Sequence, residues 1–255
     1  DFVNKAAADR ADEINTCIAC NQACLDHIFN GKLTSCLVNP RACHETELVI
    51  AKTPAPKKIA VVGAGPAGMA CATTAAERGH RVTLFDAAER IGGQFNIAKQ
   101  IPGKEDFNET LRYFGRRIQT SGVDLQLNRR VDVEALKAGG YDHVVLATGI
   151  VPRLPPIPGI ESDKVVSYLD VIEGRKAAGR TVAIIGAGGI GFDVGEFLTH
   201  AHDGKTEAER FNDEWGIDPD YRNRGGLKAP VDETAPRRVF LLQRKSSKVG
   251  DGLAK

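Results

Sequence analysis

Short apolar runs alternate with amphipathic stretches along much of the chain, which predicts strands and helices in turn. The clearest apolar runs cover residues 59–62, 143–146 and 182–185, and each is bounded by polar or glycine-rich segments. Runs of this length that are rich in valine and isoleucine are typical of strands in a buried parallel sheet. Strands that alternate with helices predict an α/β fold built on an open sheet.

Breaks in this rhythm divide the chain into three predicted segments. Residues 1–50 contain a cysteine segment, preceded by a stretch of helical composition that we interpret as the tail of a preceding domain. Residues 51–155 open with a proline- and lysine-rich linker and form the first part of a dinucleotide-binding domain. In residues 156–255 the rhythm restarts, and a polar stretch from about 200 to 236 interrupts it. The predicted fold class is therefore α/β, with a cysteine segment followed by two Rossmann-like units, the second incomplete.

Composition narrows the classes of protein. The chain has 255 residues, a hydrophobic fraction of 42% and a formal net charge of +1. Because positive and negative charges nearly balance, bulk attraction to nucleic acid or to an anionic membrane is not expected. No apolar run reaches the roughly 18 residues that a membrane span needs, so we expect a cytoplasmic protein without a membrane partner.

A glycine-rich turn follows the first apolar strand and contains Gly63, Gly65 and Gly68. The first glycine permits a tight turn, the second lets a pyrophosphate approach the backbone, and the third lets helix and strand pack closely. Pro66 and Ala67 open the following helix, whose N-terminus offers unpaired N–H groups to phosphate. Asp86 ends the next strand about twenty residues later, where an acceptor for a ribose hydroxyl is expected. This pattern predicts a dinucleotide site.

Two later segments extend this predicted site. Gly93 and Gln94 offer a second close approach of the backbone, and Thr148 and Gly149 follow the apolar strand at 143–146. The alternatives are a plain glycine turn and an ordinary strand end. The order of these segments resembles the FAD-binding domain of two-dinucleotide flavoprotein reductases, which implies that FAD occupies this first site.

A second strand and glycine turn begin near residue 180, and the turn contains Gly186, Gly188 and Gly191. No acidic residue ends the next strand at the usual distance. That strand is followed instead by Arg244 and Lys245, and a guanidinium there suits the ribose 2′-phosphate that separates NADP from NAD. The alternative is a solvated strand end. The sequence favours NADP at the second site.

Four cysteines have the spacing C-x2-C-x3-C-x11-C, namely Cys17, Cys20, Cys24 and Cys36. Thiolates at this density can hold an iron–sulfur cluster. A zinc site remains an alternative, although such sites usually pair two C-x2-C knuckles. A disulfide framework needs an oxidising compartment, and nothing in the chain resembles a secretory signal. We interpret Cys43 as a packed thiol and Cys71 as a core residue of an apolar helix.

Five stretches carry a resemblance to one family: CIACNQACLDHIF, TSCLVNPRACHE, IGGQFNIAKQIPGKE, IIGAGGIGFD and FNDEWGID. They resemble bacterial NADPH-dependent 2,4-dienoyl-CoA reductase, including the three residues between the second and third cysteines. Related amine dehydrogenases space that pair more tightly. The resemblance implies a 4Fe–4S cluster, FAD and NADP in this chain, with FMN and the catalytic residues in a preceding barrel that the chain lacks.

The resemblance also implies an electron path in the full-length protein. Electrons would pass from NADPH to FAD, then singly to the cluster and on to FMN, for reduction of a dienoyl-CoA in the β-oxidation of unsaturated fatty acids. It implies no catalytic residue in this piece, which alone would be inactive on the acyl substrate. The alternatives are the reductase module of an enoate reductase or amine dehydrogenase, and a non-catalytic, zinc-stapled nucleotide-binding protein.

Overall fold

The computed structural model describes residues 2–201, 204–232, 234–251 and 253. The chain divides into two compact units, one that runs through Val165 and a second, Val166–Leu253. Each unit contains its own parallel sheet. The predicted α/β class is therefore confirmed.

The sheet of the first unit has four parallel strands in the order β3-β2-β1-β4. The strands are β1 (Lys58–Val62), β2 (Arg81–Phe85), β3 (Asp124–Gln126) and β4 (His143–Leu146). In the two central strands, Ala60, Val61 and Leu84 have no exposed surface. Because the neighbouring residues Ala60 and Val61 point to opposite faces and are both buried, β1 has the continuous apolar sequence from which it was predicted.

The described residues of the first unit also contain six α-helices. They are α1 (Phe2–Ala7), α2 (Leu25–Phe29), α3 (Pro66–Glu77), α4 (Phe95–Ala98), α5 (Phe107–Ser121) and α6 (Val133–Ala138). Helix α3 packs directly against the sheet. Met69 and Ala72 of α3 and Ile118 of α5 join the strands in the hydrophobic core. Helix α5 ends at Gly122, whose φ of 75° is the left-handed conformation that commonly terminates helices.

The described residues of the second unit contain a parallel pair of strands, β5 (Thr181–Ile185) and β6 (Arg238–Leu242). Its helices are α7 (Tyr168–Ile172), α8 (Gly189–Thr199) and α9 (Glu207–Glu214). Val194 and Leu198 of α8 are buried, whereas Ile185, Phe240 and Leu242 are exposed on the strands. In this part of the chain, the two-stranded sheet therefore exposes apolar side chains. No helix in the described ranges is both long and apolar enough to cross a membrane.

The polar stretch predicted to interrupt the second unit has local structure of its own. It contains α9 and a 3-10 turn, Arg224–Gly226, while residues 202, 203 and 233 lie outside the described residues. Lys228 and Lys205 donate hydrogen bonds to Asp213 at 2.7 and 3.0 Å and hold the pKa of that carboxyl below its usual value. Such exposed ion pairs contribute modestly to stability.

Candidate dinucleotide sites and cysteine segment

The first glycine turn joins the end of β1 to the start of α3. Gly63 has a φ of 108°, a conformation that favours glycine, and a Cβ there would lie 2.2 Å from the Ala147 carbonyl oxygen. A Cβ on Gly68 would lie 1.7 Å from the Gly63 carbonyl oxygen. Neither position has room for a side chain, because the backbones of β1, α3 and the segment after β4 meet there.

Gly65 has a different environment. A Cβ on Gly65 would meet no described heavy atom beyond its chain neighbours within 4 Å. Pro66 begins α3 directly after it, so the unpaired N–H groups of the first helical turn lie beside this open space. The space fits the predicted approach of a pyrophosphate, while Gly63 and Gly68 serve the packing of the turn.

A further pair of glycines, Gly92 and Gly93, lies against the first glycine turn. The Gly92 N–H donates to the Ala64 carbonyl at 2.8 Å, and a Cβ on Gly93 would lie 3.2 Å from the Gly65 Cα. Gly92 also has a φ of 116°. The structure therefore brings the two predicted glycine segments together, with backbone approaching backbone.

The segment after β4 completes this arrangement. Gln94 Nε2 donates to the Ile150 carbonyl at 3.4 Å, a long hydrogen bond that links the second glycine pair to this segment. Thr148 is exposed there, and Gly149 has a φ of 74°. The sequence-predicted residues of the first site thus lie on loops after parallel strands and in the first turn of α3, on the side of the sheet where ligands bind in open α/β folds.

Asp86 lies next to the first glycine turn. Its Oδ2 accepts the Ala64 N–H at 2.6 Å, and its Oδ1 accepts the Ala88 N–H at 2.8 Å. A carboxylate oxygen can accept further hydrogen bonds, so these contacts leave acceptor capacity for a ribose hydroxyl. Asp86 also ties the end of β2 to the turn, which its sequence position alone did not indicate.

The second glycine turn repeats the arrangement of the first. Gly186 has a φ of 121°, and a Cβ on Gly191 would lie 2.0 Å from the Gly186 carbonyl oxygen. A Cβ on Gly188 would meet no atom of the described residues within 4 Å, apart from its chain neighbours. The second turn therefore also combines a closely packed glycine with an open one at the start of a helix.

Arg244 and Lys245 lie just beyond the end of β6. Ile185 pairs with Leu242 across the sheet, and the Gly186 N–H donates to the Leu242 carbonyl at 2.9 Å. This register places the start of the basic segment beside the second glycine turn. Both basic side chains are exposed, so they are accessible to a phosphate group.

The cysteine segment forms compact turns before α2. Ala19 and Asn21, on either side of Cys20, have φ values of 53° and 54°, a strained conformation for residues other than glycine. The Ala19 N–H donates to Cys17 Sγ at 3.3 Å. The turn therefore points at least one backbone donor toward a thiol.

Hydrogen bonds hold the loop before Cys36 against this turn. The Ser35 N–H donates to the Ala23 carbonyl at 2.7 Å, and Thr34 Oγ1 donates to the Cys24 carbonyl at 3.3 Å. The backbone thereby brings the fourth cysteine's loop to the compact triplet, as a shared ligand site requires.

The thiols themselves do not converge in this structure. Within the described ranges, no three histidine, cysteine, aspartate or glutamate side chains form a group that could hold a metal ion. The four cysteines are free thiols, with the donor chemistry that iron–sulfur clusters and zinc require. The chemistry of the donors fits a metal group and their present arrangement does not, so the predicted cluster stays a prediction.

The other two cysteines have distinct environments. Cys43 is exposed in a turn with a φ of 63°, and its N–H donates to Glu45 Oε1, so the prediction that it is packed is wrong. Cys71 packs against the core from α3, and burial raises the pKa of its thiol. The interpretation of Cys71 as a core residue is therefore confirmed.

The comparisons with known proteins agree with these two glycine turns. Residues 57–213 match the family model described as pyridine nucleotide-disulphide oxidoreductase. The chain belongs to the pyridine nucleotide-disulphide oxidoreductase family. Membership of this family supports binding of FAD and NAD(P) by the chain. The chain is therefore a flavin- and NAD(P)-dependent reductase module.

Individual proteins of known activity or structure are also similar to this chain. It is 40% identical over 212 residues to the metal reductase of Desulforamulus reducens, covering 82% of this chain and 32% of that protein. It is 36% identical over 211 residues to the cinnamate reductase of Clostridium sporogenes, covering 82% of this chain and 31% of that protein. A structure of 2-naphthoyl-CoA reductase superposes with a TM-score of 0.74 at 37% identity, covering 77% of this chain and 30% of that chain. The chain thus spans about a third of the length of the curated relatives it matches.

Proposed function

We propose that this chain is the electron-transfer portion of an NADPH-dependent 2,4-dienoyl-CoA reductase. The observation that carries the proposal is the combination of a four-cysteine segment with two dinucleotide turns in one chain. The similarity to 2-naphthoyl-CoA reductase supports an acyl-CoA substrate for the full-length protein. A dienoyl and a naphthoyl thioester share a carbonyl conjugated to carbon–carbon double bonds, which makes the carbon chain an acceptor for hydride.

The first unit would bind FAD through the residues already described. The open space at Gly65 and the N-terminus of α3 would receive the pyrophosphate, and Asp86 would accept a ribose hydroxyl. When bound, FAD supplies an acceptor for the two electrons of NADPH that can also release them singly. The chain's contribution would be to hold the dinucleotide in one defined position and to exclude other positions.

The second unit would bind NADPH. Gly188 offers the open approach for its pyrophosphate, and Arg244 and Lys245 offer positive charge beside the same turn. A guanidinium can form two parallel hydrogen bonds with a phosphate, which a ribose hydroxyl cannot accept in the same way. These features support NADPH over NADH.

The cysteine segment would bind a 4Fe–4S cluster through Cys17, Cys20, Cys24 and Cys36. The spacing, the left-handed turns around Cys20 and the hydrogen bonds that join the two cysteine loops support this assignment. FMN and the groups that donate protons to the substrate would belong to other parts of the full-length protein.

The substrate class is tested by NADPH oxidation with the full-length protein under anaerobic conditions. We expect a 2,4-dienoyl-CoA to accept the electrons of NADPH with turnover, whereas cinnamate should support little. Trimethylamine can only donate electrons, so it is tested separately, and without NADPH it should barely reduce the oxidised flavin. Faster NADPH oxidation with cinnamate would assign the module to an enoate reductase, and rapid flavin reduction by trimethylamine would assign it to an amine dehydrogenase. Either result would contradict the proposed substrate.

Replacing Arg244 tests the nicotinamide preference. In the full-length protein, we expect Arg244→Ala to raise the KM for NADPH by about tenfold or more, because a charge-assisted hydrogen bond contributes roughly 1.5–3 kcal/mol. The KM for NADH should change less than about twofold on the same energy scale, since NADH has no 2′-phosphate. Arg222→Ala is the control, because Arg222 is an exposed arginine that pairs with Asp220. Equal changes for both nucleotides would remove Arg244 from the phosphate site.

A further inference from the structure

Helix α5 holds the segment that leads into the cysteines. Arg112 Nη1 donates to the Ala11 carbonyl at 3.1 Å, and Nη2 donates to the Ile14 carbonyl at 2.9 Å and to Thr16 Oγ1 at 3.2 Å. The remaining Nε–H donates to Glu109 Oε2 at 2.7 Å. One guanidinium thus binds three acceptors in residues 11–16, and the last of them is adjacent to Cys17.

We propose that Arg112 is a positioning residue that fixes the cysteine segment on the flavin-binding unit. The proposal rests on the proposed function for what that segment carries, whereas the attachment itself is a property of the protein chain. Arginine suits this role because its planar group presents donors in a fixed fork, which defines both the position and the orientation of the acceptors. A lysine has one nitrogen and could satisfy only part of this set.

The cysteine segment needs such an attachment because it has little core of its own. Among residues 11–50, all of which the structure describes, Ala23 alone is buried. A segment with few buried apolar contacts opens locally at low free-energy cost unless other contacts hold it. The hydrogen bonds of Arg112 supply these contacts at the point where the segment begins.

Helix α5 is a rigid base for this contact. Ile118 is in the core, and Glu109, one turn before Arg112, orients the guanidinium. Arg116 adds ion pairs with Asp12 at 3.0 Å and Glu13 at 3.6 Å. The Asp12 contact is an ion pair without hydrogen-bond alignment, since Arg116 Nε makes no hydrogen bond within the described residues. Arg112 therefore supplies the aligned hydrogen bonds to this stretch, and Arg116 adds charge attraction.

The full chain with Arg112→Gln tests this inference by amide hydrogen exchange. We expect exchange in residues 11–20 to become about tenfold faster, since the lost bonds are charge-assisted, while the strands of the first unit keep their wild-type rates. Arg117→Gln is the matched control, because Arg117 lies on the same helix and pairs with Glu77. Wild-type exchange in Arg112→Gln, or equally faster exchange throughout the unit, would overturn the proposal.

Further variants keep the test decisive. If Arg112→Gln does not fold, Thr16→Val removes one neutral acceptor and should speed exchange in the same segment about threefold. Arg112→Lys should restore part of the protection. After anaerobic reconstitution, Arg112→Gln should also alter the paramagnetic resonance spectrum of the reduced protein, and Arg117→Gln should not. Wild-type protein that binds no iron would contradict the proposed function, yet the exchange contrast would still decide the role of Arg112.

Discussion

Gly68→Ala is expected to destabilise the first unit, whereas Gly65→Ala is expected to leave it folded and weaken its binding of FAD. A Cβ on Gly68 would lie 1.7 Å from a backbone oxygen, and no side-chain rotation can relieve that overlap. Overpacking costs roughly 1–3 kcal/mol where neighbours can shift, so a collision with backbone is expected at or above the upper end. Gly65 lies beside open space and has a φ of −73°, so an alanine there fits the FAD-free protein. Its methyl group would occupy the space through which the pyrophosphate is predicted to approach the backbone.

Denaturant unfolding and FAD titration separate the two effects. The free energy of unfolding of the FAD-free protein should fall for Gly68→Ala and stay near wild type for Gly65→Ala. The FAD dissociation constant should rise for both. Gly191 and Gly188 provide an independent repeat in the second unit, with NADPH as the ligand. If Gly65→Ala bound FAD as tightly as wild type, the pyrophosphate would not approach the backbone at that glycine.

The local parts of this fold could be predicted because their signals lie close together in the sequence. The first strand was predicted over 59–62 and is Lys58–Val62, and the helix predicted to open with Pro66 begins at that residue. A buried parallel strand, a glycine turn and a helix start each require particular residue types within a few positions. Tertiary packing in this region agrees with those local preferences.

Contacts between distant residues could not be predicted in the same way. Ala147 approaches Gly63 because β4 pairs with β1, and a small residue after a strand is the only signal that the sequence offers for it. The sequence shows Arg112 only as one charge on an amphipathic helix. In the structure, its guanidinium donates hydrogen bonds to acceptors near the start of the chain. The exposure of Cys43 depends on the path of a turn rather than on residue type.

The two glycine turns share one local arrangement, although they are proposed to bind different dinucleotides. In each, one glycine allows a helix to approach a strand and another leaves backbone open at the helix start. The residues predicted to select the dinucleotide lie elsewhere, since Asp86 ends a strand in the first unit and Arg244 follows a strand in the second. In the proposed function, binding of a pyrophosphate would depend on the shared turn, and discrimination between dinucleotides would depend on the neighbouring strand end.

Cys24→Ser is expected to remove the iron from anaerobically reconstituted protein, whereas Cys43→Ser should retain it. A 4Fe–4S cluster needs four thiolates, so loss of one should reduce the number of iron atoms bound per chain from about four to near zero. The Cys24 carbonyl accepts a hydrogen bond from the Thr34 hydroxyl, and this bond links Cys24 to the loop of Cys36. Cys43 is the matched control because it is also a free thiol of the same segment but lies outside the spaced quartet.

Iron, acid-labile sulfide and zinc analyses, with the visible absorbance spectrum, measure this effect. Wild type and Cys43→Ser should be brown and contain iron and sulfide in equal amounts, and Cys24→Ser should contain neither. A cluster held by four thiolates would tie the loop of Cys36 to the turns that contain the other three cysteines. Reconstitution should therefore slow amide exchange in residues 17–36 of wild type but not of Cys24→Ser. Colourless wild-type protein with one equivalent of zinc would instead support the zinc-stapled alternative, and the electron-transfer function would then lack its carrier.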